Sequence, residues 1–136
     1  MSASGKDVMN LLKSGKMDLK ELQQNFAGAS AGLVSIQDWG VCYSSATGEL
    51  SEYATVISNQ ANNPITGIGM IAYTSNGSSM LCVQYTNDIS SPSVATSIGT
   101  TLYNPSQGNQ ILCIIYGWTD NGNYYQSQVI TIVPCQ

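Results

Sequence analysis

The segment TGIGMIAYTSNGSSMLCV, residues 66–83, holds two apolar runs, Ile71-Ala72-Tyr73 and Leu81-Cys82-Val83, on either side of Asn76-Gly77. Asn-Gly supplies the positive φ angles that a tight hairpin turn demands, so the segment predicts two antiparallel strands. The arrangement recurs at residues 114–131, IIYGWTDNGNYYQSQVIT, where Asn121-Gly122 separates Ile114-Ile115-Tyr116 from Val129-Ile130-Thr131. Outward from these hairpins, β-branched and aromatic residues punctuated by Gly, Asn, Pro and Ser predict strands near residues 33–45, 50–58, 65–74, 79–86, 94–103, 110–118 and 124–133. Seven strands at that spacing predict a mainly β chain, an antiparallel β-sandwich or a flattened barrel, preceded by two short N-terminal helices.

The helices are read from residues 1–30, with the β body in residues 31–136. Ser4 is placed to cap the first, with Asp7 three residues on. Val8, Met9, Leu11 and Leu12 share one side of that helix, and Lys6, Asp7, Asn10, Lys13 and Ser14 share the other. Gly15 is the expected stop. Asp18 then caps a second helix, with Glu21 at its third position and Met17 and Leu22 at the two ends of a hydrophobic staple. Leu19, Leu22 and Phe26 line one side of it. Helices this short are not stable alone in water, so each must lie on the β body, on another copy or on a membrane.

Charge is scarce and unevenly divided. Only 9% of the 136 residues are charged, and there is no His or Arg. The four lysines, Lys6, Lys13, Lys16 and Lys20, all precede residue 21, so residues 1–20 carry +2 and residues 21–136 carry −6. A cation-free body offers no footprint for nucleic-acid phosphates. Nor does it hold the His or Lys that most hydrolytic triads need beside a nucleophile. Cys42, Cys82, Cys113 and Cys135 contain no closely spaced pair of the kind that zinc favours, and no phosphate-cradling glycine loop occurs. No metal and no cofactor is therefore expected, and the chain reads as something other than an enzyme. Glu49 and Glu52, the nearest acids, read as a solvated loop edge. No signal peptide and no membrane-spanning run is seen, which points to a cytoplasmic protein or one released by lysis or a non-classical route. The cysteines then read as free, with three pairings open in an oxidising medium.

Two features are candidates for function. The first is the neutral aromatic surface: Trp118 and Tyr116 at the mouth of a hairpin, Tyr124 and Tyr125 on the returning strand, and Trp39. Rings among amides and hydroxyls suit a glycan or a lipid headgroup. The second is the basic amphipathic helix, where Lys6 and Lys13 with Val8, Met9, Leu11 and Leu12 are placed to contact a membrane or another subunit. A low-charge β surface whose edge strands lack Lys also favours self-association.

The hairpin from Thr66 to Val83, together with Gly40-Val41-Cys42-Tyr43-Ser44 upstream, resembles the central hairpin of the actinoporin-type cytolysins and their fungal fruit-body lectin relatives. The resemblance implies a soluble β-sandwich that binds a lipid headgroup or glycan, oligomerises and inserts its N-terminal helix to line a pore. The chain departs from that pattern between Tyr85 and Tyr103, which enclose no aromatic residue, so no phosphocholine site is carried over. The expectation is thus a non-enzymatic membrane- or glycan-binding protein that forms homo-oligomers. The alternative is a self-assembling structural subunit joined through its N-terminal helices.

Overall fold

A computed structural model of the protein describes residues 5–25 and 32–136. Ser4 and Phe26 lie outside the described residues, as do the side chains of Lys6, Asp7 and Met9. Two helices, α1 (Gly5–Lys13) and α2 (Leu19–Asn25), precede seven strands: β1 (Val34–Ser44), β2 (Glu49–Ser58), β3 (Ile65–Thr74), β4 (Met80–Ser91), β5 (Ser93–Thr100), β6 (Gln110–Thr119) and β7 (Gly122–Pro134). Their hydrogen-bonded order is β4-β3-β6-β7-β1-β2-β5. The end strands β4 and β5 are consecutive in the chain and meet at the corner Ser91-Pro92-Ser93, so the sheet curls nearly closed.

The expected all-antiparallel body is corrected at one seam. Val41–Tyr43 of β1 pair in parallel with Ile132–Pro134 of β7, and every other pairing is antiparallel. This seam joins strands far apart in sequence, which no hairpin connects and no turn signal announces. The Cys135 N–H donates to the Tyr43 carbonyl at 3.0 Å just beyond it, and a Cys42–Cys135 disulfide closes a sequence separation of 93. The expectation of four free cysteines is therefore corrected as well: Cys82 and Cys113 alone are free.

Strands β3 and β6 are buried on both faces, which explains their unbroken apolar runs. Their inward side chains, Ile68, Met70 and Ala72 on β3 and Ile111, Cys113 and Ile115 on β6, fill the interior. Their outward ones, Ile71, Tyr73, Ile114 and Tyr116, are closed over by Val8, Leu12, Met17 and Leu22 from the helical layer. Burying each of those four aliphatic side chains stabilises the layer by about 1.5–3 kcal/mol before its ordering entropy is counted. The local helix signals appear where expected. Gly15 has φ +74°, and the N–H groups of Gly15 and Lys16 reach back to the carbonyls of Leu12 and Leu11, a Schellman stop. Asp18 Oδ1 accepts from the Glu21 N–H at 2.9 Å, and the staple residues Met17 and Leu22 are both buried.

Both predicted hairpins form, with turns other than the two-residue Asn-Gly kind. At Asn76-Gly77 only the glycine has positive φ, and Asn76 Oδ1 accepts from the Ser78 N–H at 3.0 Å inside a longer loop closed by Thr74 and Ser79. In the second hairpin Thr119 pairs with Gly122, so Asp120 and Asn121 make the turn. A bulge between Gln37 and Gly40, with Asp38 at φ +52°, kinks β1.

Candidate functional site

The structure separates the aromatic residues that the sequence brings together. Tyr124 and Tyr125 are neighbours on a strand, so they point to opposite faces. Tyr124 is 1% exposed and faces inward, where its hydroxyl donates to the Gly67 carbonyl at 2.8 Å. Tyr125 faces the helical layer and reaches Gln23 of α2. Tyr116 is fully buried, with its ring lying where a Cβ on Gly69 would stand. The half-buried Trp118 sits edge-on to Tyr116 at 6.1 Å and to Tyr85 at 5.7 Å. Trp39 is turned inward beside the bulge. These five rings are thus split between the interior and the sheet face beneath α1 and α2, where they form no common recognition face. Val8 and Leu12 are 0% and 1% exposed, Leu11 is half-buried and Lys13 is exposed, so Val8 and Leu12 of α1 are committed to the sheet.

Glu52 is the residue that the sequence reading misplaces. It is 3% exposed inside the β body, whereas Glu49 is exposed. The alternation Leu50, Glu52, Ala54, Val56 carried the signal, since all four are buried on the inward side of β2. One carboxylate oxygen, Oε2, accepts from Trp39 Nε1 at 2.9 Å, and Oε1 meets no hydrogen-bond partner. With no Arg or His in the chain and every Lys before residue 21, the body holds no counter-ion. Burial pushes the Glu52 carboxyl from 4.5 up to about 8, against a smaller lowering by the Trp39 bond and by the Cys113 thiol beside it. Glu52 is therefore neutral at pH 7. Burial and then the Glu52 charge push the Cys82 thiol up to about 12, and Cys113 rises for the same reasons. Both thiols are held as poor nucleophiles. They flank Ala72 on opposite sides of β3, about 9–10 Å apart at two strand spacings, which is too far for a disulfide.

One surface cleft lies where the β3–β4 loop faces the chain after β5. This cleft of about 390 Å³ is lined by Thr74, Ser75, Asn76, Ser78, Ser79, Leu81, Leu102, Tyr103 and Gln107. None of these carries a charge. Each wall is held by its own bonds. Asn76 Oδ1 accepts from Thr74 Oγ1 at 2.9 Å and from the Ser78 N–H and hydroxyl, which leaves the Asn76 Nδ2 donors for the cleft. Across it, Asn104 and Gln107 form a capping box around the turn Pro105–Gln107, and the Tyr103 hydroxyl donates to the Gly108 carbonyl at 3.1 Å. Leu102 stands at the rim with 73% of its surface exposed. A second hollow of about 460 Å³, by the β2–β3 loop, has Asn59, Gln60, Asn62 and Asn63 in its lining, with Asn63 Nδ2 donating to Gln60 Oε1 at 3.0 Å.

No protein-family model matches this chain, and no curated protein matches it. Solved structures do. A DUF3823 family protein from Bacteroides ovatus aligns with a TM-score of 0.51 at 11% identity, over 74% of this chain and 55% of that one. The chain therefore spans about half the length of that protein, and the likeness is one of fold. A late embryogenesis abundant protein aligns at 13% identity and TM-score 0.48, over 98% of this chain and 91% of that one. A superoxide reductase, neelaredoxin, from Ignicoccus hospitalis aligns at 12% identity and TM-score 0.43, over 85% and 93%. An enzyme among the aligned structures corrects the expectation of a chain that is not an enzyme, which is not carried forward; the likeness assigns no reaction to this chain. Among the described residues no helix is long and apolar enough to cross a membrane.

Proposed function

We propose that the protein binds a neutral carbohydrate in the cleft between the β3–β4 loop and residues 102–107. The observation that carries this reading is the charge-free cleft of about 390 Å³, framed by two self-bonded loops, with amide and hydroxyl groups in its walls and the exposed Leu102 at its rim. Sugars present hydroxyls together with apolar C–H faces, and this mixture of groups complements both. The volume is near the lower end of small-molecule sites, which suits one or two sugar rings. The loops are bonded before any ligand arrives, which reduces the ordering cost of binding. This reading keeps the lectin side of the resemblance and moves the site away from Trp118 and its neighbours. It also takes the seven strands as a two-layer sandwich, β4-β3-β6-β7 over β1-β2-β5, joined along the β1–β7 seam.

A panel of neutral mono- and disaccharides titrated by NMR tests the proposal. Chemical-shift changes are expected at Ser75, Asn76, Leu102 and Gln107. Leu102→Asp and Ser75→Tyr, both at exposed positions, are expected to weaken binding by about tenfold or more with the melting temperature unchanged. Failure of every sugar in the panel to bind, or binding that both variants leave intact, would overturn it.

A further inference from the structure

We infer that β5 is a dimerisation edge, which pairs in antiparallel fashion with the same strand of a second copy of this chain. The two ends of the sheet order are treated differently. β4 is guarded, since α1 lies along it, its pairing with β3 shifts register twice, and it carries Asp88 at φ +58°. β5 has none of these devices. It pairs regularly with β2 from Ser93 to Thr100, without a bulge, and ends the order. Its sequence SVATSIGT contains no charge and no proline. Natural edge strands are blunted by lysine, proline, bulges or a covering element; here the Ser91 hydroxyl occupies the N–H and C=O of Ser93, and from Ala95 to Gly99 the regular neutral edge keeps its outward N–H and C=O groups for a partner strand.

The partner is argued from self-complementarity. A two-fold axis through Ser97 would set Ala95 opposite Gly99 and Ser97 opposite itself, giving about six backbone hydrogen bonds from the residues whose N–H and C=O point away from β2. The side chains facing out, Ser93, Ala95 and Ser97, are small and exposed, and Gly99 has none, so nothing bulky stands against the second copy. Two acids lie near this edge: the Glu49 carboxylate is beside Gly99, and the exposed Asp38 lines a hollow with Ala95, Thr96 and Ser97. The axis would carry the two Glu49 side chains to opposite ends of the joint, where they do not repel. Each cleft begins two residues beyond Thr100, so the dimer would hold its two clefts at opposite ends of the joined strands, an arrangement suited to a repeating ligand. Only that last consequence rests on the carbohydrate reading.

Sedimentation velocity of the full chain without saccharide, over a range of concentrations, is the test. The wild type is expected to dimerise, with slowed exchange at the amides of Ala95, Ser97 and Gly99. Ala95→Lys combined with Ser97→Lys places cations on exposed positions of the edge and is expected to weaken dimerisation at least tenfold with an unchanged melting temperature. Gln128→Lys, on exposed β7, should leave it intact. A strict monomer at every concentration overturns the inference, as does a dimer that the paired lysines leave unchanged or one without protection at Ala95, Ser97 and Gly99. Sugar binding by the lysine variant, measured separately, shows whether the cleft works in the monomer.

Discussion

Glu52→Gln is expected to abolish a large fall in stability between mildly acidic and mildly alkaline pH. In the unfolded chain Glu52 ionises near 4.5, and in the folded protein burial holds it protonated up to about 8. Between those values the folded state binds a proton that the unfolded state has released, so stability falls as pH rises. The gap of about 3.5 pH units, at about 1.36 kcal/mol each, amounts to about 4–5 kcal/mol. The full stability is present below about pH 4.5, is lost progressively up to about pH 8, and is lost no further above it. Against a typical domain stability of about 5–15 kcal/mol that loss is substantial. Glutamine keeps the size of the side chain and can accept the Trp39 bond without a charge to lose. Urea denaturation midpoints of both proteins, taken from pH 4 to 8.5 with the disulfide intact, provide the assay. The exposed acids are common to both and cancel in the difference. Cys82 and Cys113 ionise in the unfolded chain near 9 and affect both proteins alike. The variant should be comparable with the wild type at pH 4 and more stable by several kcal/mol at pH 8. A difference between the two proteins that does not change with pH would refute the reasoning.

Leu12→Ala should destabilise the chain by about 2–5 kcal/mol, because Leu12 is 1% exposed in the cluster under the helices; thermal unfolding reports it. Gly117→Ala should cost about 1–3 kcal/mol or more, since its Cβ would run into the Gly67 carbonyl oxygen and the Tyr124 hydroxyl; failure of the variant to express as folded protein would agree, and an unchanged denaturation midpoint would not. Native protein should resist thiol reagents at Cys82 and Cys113 and react only after unfolding. Replacing Cys42 and Cys135 with serine should lower stability by about 2–4 kcal/mol, read from the same urea curves.

What was legible from the sequence was local. The stop at Gly15, the cap at Asp18, the Met17–Leu22 staple and the existence of seven strands depend on interactions within a few residues, and they stand where the sequence places them. The period of two was also legible. It sends Tyr124 and Tyr125 to opposite faces and sets Glu52 in line with Leu50, Ala54 and Val56, although its charge argued for solvent. The cleft drew on Leu102 and Gln107, which carry no motif, and on a hairpin loop that read simply as a turn.

The sequence by itself determined the elements, the amphipathicity of α1 and the lack of any cation in the body. Tertiary structure alone decided what the amphipathic face lies on, which cysteines pair, that β1 meets β7 in parallel, and that Glu52 must share the interior with Trp39 and two thiols. These outcomes depend on contacts between segments far apart in the chain. An apolar stripe or an inward-pointing side chain specifies that it must be covered, and the packing of distant strands determines what covers it.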